Sequence, residues 1–280
     1  MPLYLVFTPI GNLEDITLRA LRVLQEADLI AAEDTRHTGK LLVHYDIQRP
    51  LISLHEHNEA VRIPGLLARL NTGESVVLVS DAGAPAIADP GYQLIRAAIQ
   101  AGHQPIPIPG PSALLAALVA SGLPTDRFLF LGFPPRKAKA RTEWLSGLRS
   151  EPGVLIFYES PRRLPSLLSD IVQTLGADRR VVIARELTKL HEQFWRGRAE
   201  EAVRAFAEPP RGEIVVLVAG ARKEAGDQGF SPEVEEVLAG LLAGGMGVSR
   251  AARLLAEITG LPRRQLYQRA LDLAGSSSSP

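Results

Sequence analysis

The residues able to do chemistry stand at the ends of apolar runs. Val76-Val77-Leu78-Val79 is followed at once by Ser80-Asp81-Ala82-Gly83-Ala84-Pro85, with Asp89-Pro90 further along. Glu159 and Glu186 follow two other apolar runs, and Arg36, Arg185 and Lys189 sit in comparable places. A carboxylate at such a position can take a proton; a cation there can stabilise developing negative charge. The competing reading is that these acids and bases pair as bridges. Glu186 beside Arg185, with Lys189 one turn on, fits bridging best. Asp81 fits it least, because it begins the Gly/Pro loop itself.

Other chemistries lose ground. Gly39-Lys40-Leu41 lacks the upstream glycine and the Ser/Thr of a phosphate loop, and no Gly-x-Gly-x-x-Gly follows the first apolar run. His55 and His57 would share a face on a strand, but no third ligand is spaced nearby, so no metal is expected. The sequence has no cysteine, which removes thiolate metal sites, disulfides and a cysteine nucleophile. Arg136, Lys137, Lys139 and Arg141 form a basic stretch that is either a solvated face or a phosphate-binding surface.

The elements that position these residues alternate. Leu3–Phe7, Leu29–Ala32, Ile52–Leu54, Val76–Val79 and Gln104–Ile108 read as strands, each followed by a polar or Gly/Pro loop and then a helical segment. Such alternation implies a mostly parallel sheet, with ligands at the carboxyl ends of its strands. Gly83 permits close backbone approach there, and Pro85 and Pro90 stiffen the path. After Ser121-Gly122-Leu123-Pro124 a second domain begins. Its strands are expected at 128–131, 154–158, 181–184 and 214–218, with a hairpin near Phe194–Gly197 and a helix from Thr142 to Leu148. Ala221–Gly229 reads as a charged linker. Ser231-Pro232-Glu233 opens a helix. Val248–Leu273 has the form of a helix-turn-helix, with Arg263, Arg264, Tyr267 and Arg269 in its second helix. Ser276–Pro280 reads as a disordered tail. The boundaries drawn are 1–119, 120–222 and 230–275.

With 280 residues, 46% hydrophobic and 22% charged, the chain is long enough for about two domains of ~150 residues. Its formal net charge of +0 gives no global attraction to nucleic acid or membrane. Met1-Pro2-Leu3-Tyr4 shows no signal sequence, and no apolar run approaches the ~18 residues of a membrane span. A cytoplasmic location is expected.

Taken in order, Thr8-Pro9-Ile10-Gly11-Asn12, Glu33-Asp34-Thr35-Arg36, Ser80-Asp81-Ala82-Gly83, Pro109-Gly110-Pro111-Ser112-Ala113, Phe157-Tyr158-Glu159-Ser160-Pro161, Ala184-Arg185-Glu186-Leu187-Thr188-Lys189 and Gly212-Glu213-Ile214 resemble the tetrapyrrole methylase family. The resemblance is to its subgroup of bacterial small-subunit ribosomal RNA cytidine 2′-O-methyltransferases. It runs through residues 3–220 and extends more weakly into the C-terminal helices. It implies an α/β protein with two methylase-type domains, S-adenosylmethionine in the cleft between them, and a small helical appendage. It also implies a homodimer acting on small-subunit (16S) ribosomal RNA, or on the assembled subunit, near the decoding centre. By motif, cofactor contacts fall on Pro9, Gly83, Ala84, Ala86, Ile87, Ser112, Ala113 and Phe133. Asp81, Glu159 and Lys189 become the catalytic candidates, and Arg136, Lys137, Lys139 and Arg141 the RNA contacts. Two departures stand out. The subgroup's Gly-Thr-Pro is Gly83-Ala84-Pro85 here, so residue 84 offers only backbone. Its Glu-Ser-Pro-His-Arg is Glu-Ser-Pro-Arg-Arg, with Arg162 in place of the histidine. The rival readings are a small-molecule tetrapyrrole methylase, disfavoured by the basic stretch and the appended helices, and a non-catalytic RNA-binding assembly factor.

Overall fold

Strands β1 (Leu3–Val6), β2 (Leu29–Ala32), β3 (Leu51–Ser53), β4 (Val76–Val79) and β5 (Pro105–Ile108) form one sheet in the order β3-β2-β4-β1-β5. Every pairing is parallel. β2 and β4 are buried along their whole length, as a strand covered on both faces must be. Helices α1 (Leu18–Glu26), α2 (Thr35–His44), α3 (Glu59–Asn71) and α4 (Tyr92–Gln100) supply the covers. One core gathers Val23, Leu24, Ile30 and Val77; the other gathers Leu66, Leu70, Leu78 and Leu94.

α5 (Ala113–Ser121) leads out of this sheet and packs on the next one, where Ala117 and Leu118 meet Ile156, Val182 and Leu217. Arg196 closes its C-terminus, donating from Nε to the Ser121 carbonyl at 3.1 Å and from Nη2 to that of Ala120 at 2.6 Å. The boundary drawn at 119/120 thus cuts through a helix that belongs, by its packing, to the second sheet.

That sheet contains β6 (Phe128–Phe130), β7 (Val154–Glu159), β8 (Arg180–Arg185), β9 (Gln193–Arg198) and β10 (Ile214–Val218), in the order β6-β7-β10-β8-β9. β6 and β7 are parallel, whereas β10 inserts antiparallel between β7 and β8, and β9 pairs antiparallel with β8. α6 (Ala138–Ser146), α7 (Leu164–Leu175) and α8 (Ala199–Ala205) cover its other face around Leu145, Phe157, Leu168 and Val216. α6 starts earlier than the expected Thr142, so Lys139 and Arg141 fall in its first turn and Lys137 is its N-cap residue.

The computed structural model describes residues 2–221 and 230–276. It divides into two compact units, Met1–Ala221 and Arg222–Pro280. Residues 222–229 of the expected linker and 277–280 of the expected tail lie outside the described residues. In the second unit, α9 (Pro232–Ala243), α10 (Val248–Thr259) and α11 (Arg263–Ser276) enclose Leu238, Ala252, Leu255 and Leu266. Gly260, at φ +70°, ends α10 in the left-handed conformation. Arg269 in α11 makes a two-pronged pair with Glu235 of α9, both contacts at 2.7 Å. Arg263, Arg264 and Tyr267 are exposed.

Candidate functional site

Loops at the carboxyl ends of both sheets meet around a cleft of about 470 Å³. From the first sheet come Ile10, Glu33, the run 81–84, 87–89, Ser112 and Ala113; from the second come Phe133, 158–161, Leu187 and 212–215. Antiparallel β10 brings its amino end to the edge where β7 and β8 present their carboxyl ends, which is how Glu213 arrives beside Glu159 and Leu187.

The cleft is held by cross-strand ties. β1 and β4 are neighbours, and their following loops bond reciprocally: Thr8 N–H to the Gly83 carbonyl at 3.0 Å and Gly83 N–H to the Thr8 carbonyl at 2.9 Å. The Thr8 hydroxyl donates to the Ser80 carbonyl at 3.1 Å. Gly83 takes φ +78°, which favours glycine, and Ala86 and Ala88 take +66° and +64° despite their Cβ atoms. Two strained alanines in one ligand-facing loop cost roughly 1–3 kcal/mol each and persist only where the surroundings enforce them. A Cβ built on Gly83 would first meet Ile10 and the Pro111 carbonyl at ordinary contact distances, 3.5 and 3.7 Å. The need for glycine here therefore comes from backbone conformation more than from crowding.

Of the expected cofactor contacts, Gly83, Ala84, Ile87, Ser112, Ala113 and Phe133 line the cleft. Ile87 and Phe133 are exposed apolar side chains, at 46% and 57%, on opposite walls. Ser112 caps α5, accepting from Leu115 N–H at 3.5 Å, which leaves its hydroxyl proton available to a ligand. Ala86 is not in the lining; it shapes the bend. Pro9 faces a second cavity of about 240 Å³, formed by residues 8, 9, 13, 37, 38, 40, 41, 80 and 81.

Asp81 lines both cavities. Its Oδ1 accepts from Asp34 N–H at 3.0 Å, which fixes the carboxylate. Glu159 lines the cleft and is almost wholly buried; Oε1 accepts from Ser160 N–H at 2.7 Å. Arg163 Nη2 stands 3.2 Å from Glu159 Oε2, but that oxygen accepts no hydrogen bond, so the contact is one of charge alone. Arg163 also donates to the Pro134 carbonyl at 2.6 Å, anchoring the loop that carries Phe133. Lys189 reaches neither cavity. Its Nζ lies 3.0 Å from Glu186 and 3.2 Å from Glu213. Burial works against its charge, yet these carboxylates outweigh burial and raise its pKa. The bridging reading holds for this pair.

Arg141 requires a correction. It is 4% exposed and its Nε lies 2.6 Å from Asp170 on α7, so it joins two helices and offers nothing to RNA. Arg136, Lys137 and Lys139 are exposed. His55 and His57, in a turn after β3, have rings 6.0 Å apart, and His55 Nε2 is 3.0 Å from the Asn58 amide nitrogen.

Three lining residues that sequence reasoning did not single out as site residues matter most: Glu33, Asp89 and Tyr158. Burial, with Glu33's charge adding to it, pushes the Asp89 carboxyl up to about 6, against a hydrogen bond from Ser80. Burial and the charge of Asp81 raise Glu33 likewise. Burial also raises the Tyr158 hydroxyl. Glu33 and Tyr158 stood inside motifs already noted, and Asp89 in the same loop as Asp81; the missing signal was their convergence. All charged lining residues of the cleft are acidic: Glu33, Asp81, Asp89, Glu159 and Glu213.

Comparison with known proteins places this geometry. Residues 2–203 match the tetrapyrrole (corrin/porphyrin) methylases, and residues 228–274 match the RsmI C-terminal HTH domain. A protein named ribosomal RNA small subunit methyltransferase I from Synechocystis sp. is 51% identical over 97% of this chain and 98% of its own. Its namesake from Pseudomonas aeruginosa is 47% identical over 98% of each. Among solved structures, the uroporphyrin-III C-methyltransferase of Thermus thermophilus complexed with S-adenyl homocysteine aligns with a TM-score of 0.55. It is 20% identical, over 78% of this chain and 97% of that one, a likeness of fold. The chain belongs to the tetrapyrrole (corrin/porphyrin) methylase family, in the branch of the ribosomal RNA small subunit methyltransferase I proteins.

Proposed function

We propose that this protein transfers a methyl group from S-adenosylmethionine to the ribose 2′-hydroxyl of a cytidine in small-subunit ribosomal RNA. The observation that carries the cofactor assignment is the charge of the cleft. Glu33, Asp81 and Asp89 converge there with no ion-pair partner among the described residues, while Arg36 is occupied by Asp34 at 2.7 Å. Such a site favours a cation, and S-adenosylmethionine carries a sulfonium and an ammonium group. Its adenosine suits the apolar walls at Ile87 and Phe133 and the backbone offered by Gly83 and Ala84.

When bound, the cofactor supplies an electrophilic methyl group. The chain's own part is to hold the acceptor oxygen in line with that methyl, exclude water, and take the hydroxyl proton. Asp81, fixed by Asp34 and shared by both cavities, has the position for the last task. The target as small-subunit ribosomal RNA rests on the names of the close relatives, and the cytidine 2′-oxygen on the motif resemblance. Arg136, Lys137 and Lys139, with Arg263 and Arg264 of the C-terminal helices, provide exposed positive charge for phosphates. A homodimer working in the cytoplasm completes the reading; among the described residues no helix is long and apolar enough to cross a membrane.

Calorimetric titration tests the assignment. S-adenosylmethionine should bind about tenfold or more tightly than S-adenosylhomocysteine, which lacks the sulfonium charge; ~1.4 kcal/mol is well within reach of a carboxylate cluster in a partly dry site. No binding of either would refute the proposal.

A further inference from the structure

The second cavity has a different character from the first. His37 and Lys40 reach it from one face of α2, three residues apart and therefore neighbours on the helix. Neither is taken up in an ion pair among the described residues. Leu13 and Leu41 add apolar surface, and the one carboxylate is Asp81, the residue also in the cofactor cleft. A complementary ligand is anionic at the His37/Lys40 end, has a flat or apolar body against the leucines, and brings a hydrogen-bond donor to Asp81. A second cofactor molecule, being cationic, does not meet this description. A ribonucleotide does, with its phosphate, base and 2′-hydroxyl.

We infer that the second cavity receives the nucleotide to be methylated, with its phosphate at Lys40 and His37 and its ribose hydroxyl at Asp81. The inference rests on the proposed reaction and adds where the acceptor sits. A volume of about 240 Å³ admits one extruded nucleotide, not a duplex, so the target must be single-stranded or flipped out when it reacts. Asp81 then lies at the wall common to both ligands, where the hydroxyl must face the methyl. Lys40 and His37 act as positioning residues.

Two substitutions test this in the full-length protein, with purified small ribosomal subunits and a single-stranded oligonucleotide carrying the target sequence as probes. Leu13→Trp should occupy the cavity; Leu13 is 38% exposed, so the larger side chain need not disturb the core. It should cut methylation by roughly 10²-fold while the calorimetric affinity for S-adenosylmethionine stays within about twofold of wild type. Lys40→Gln should raise KM by about tenfold with kcat little changed. It should also flatten the salt dependence of oligonucleotide binding by about 0.7 in log–log slope, the loss of one phosphate contact. Wild-type KM and slope in Lys40→Gln, or wild-type methylation in Leu13→Trp, would overturn the inference. A wild-type protein that methylates neither probe would instead sink the underlying function, and this placement with it.

Discussion

Asp89→Asn gives the sharpest test of the electrostatics, because it changes charge at nearly constant shape. The native carboxyl is pushed from its ordinary value of 3.8 up to about 6, mainly by burial and then by Glu33. Between those values the folded protein holds a proton that the unfolded chain has lost. Stability therefore falls as pH rises through this window and stays lower above it. Taken in full, the displacement corresponds to ~3 kcal/mol. The side chain keeps part of its solvent contact, and screening reduces the figure to about 1–1.5 kcal/mol. Asp89→Asn should thus be more stable than wild type by that amount near pH 8, equivalent to about 3–5 °C in the transition of the 1–221 unit. Near pH 4 the difference should vanish. Binding carries the opposite sign. A cationic cofactor lowers the Asp89 pKa, so wild-type binding near pH 6 releases protons and affinity rises with pH. The variant should bind more weakly at neutral pH and release fewer protons. Glu33, raised in the same direction, leaves it part of that dependence. Thermal unfolding at both pH values, with titrations in buffers of different ionisation enthalpy, measures both effects. A variant less stable than wild type near pH 8, or proton release equal to wild type, would refute the reasoning.

Arg141→Met should cost about 2–3 kcal/mol, because the mostly buried Asp170 carboxylate is left without its ion-pair partner, while replacing Arg136, Lys137 and Lys139 together by Gln should leave the melting temperature unchanged and flatten the salt dependence of RNA binding. Gly83→Val should abolish cofactor binding in titrations; with φ at +78° a β-branched residue must move the loop, at a cost of roughly 1–3 kcal/mol in stability. Asp81→Asn should lower the single-turnover rate of methylation by roughly 10²-fold with little change in RNA affinity, and a near-wild-type rate would pass the proton-accepting role to Glu33 or Asp89.

Much of the fold could be read from local pattern. Continuous apolar runs such as Val76–Val79 carry the signature of strands buried on both faces, and the loops after them marked the edge where the cleft lies. What escaped was non-local. The antiparallel insertion of β10 between β7 and β8 leaves no trace in Ile214–Val218 itself, yet it decides that Glu213 reaches the cleft. Arg141 reads as one more member of a basic run until the phase of α6 turns it inward onto Asp170 of α7. The bridge from Lys189 to Glu186 was legible from their spacing, but its second partner, Glu213, arrives from a distant loop. The second cavity depends on β1 and β4 being neighbours, a strand order that no window of sequence contains.

The central claim is that this chain methylates a ribose in small-subunit ribosomal RNA. Incubating the protein with small subunits lacking the modification and methyl-labelled S-adenosylmethionine, then digesting the RNA to nucleosides for mass spectrometry, tests it most directly. Label is expected in 2′-O-methylcytidine, in stoichiometric yield at one position, and none when Asp81 and Asp89 are both replaced by Asn. Label on a base carbon or nitrogen, or no label in RNA under conditions where the protein methylates a porphyrinoid, would contradict it.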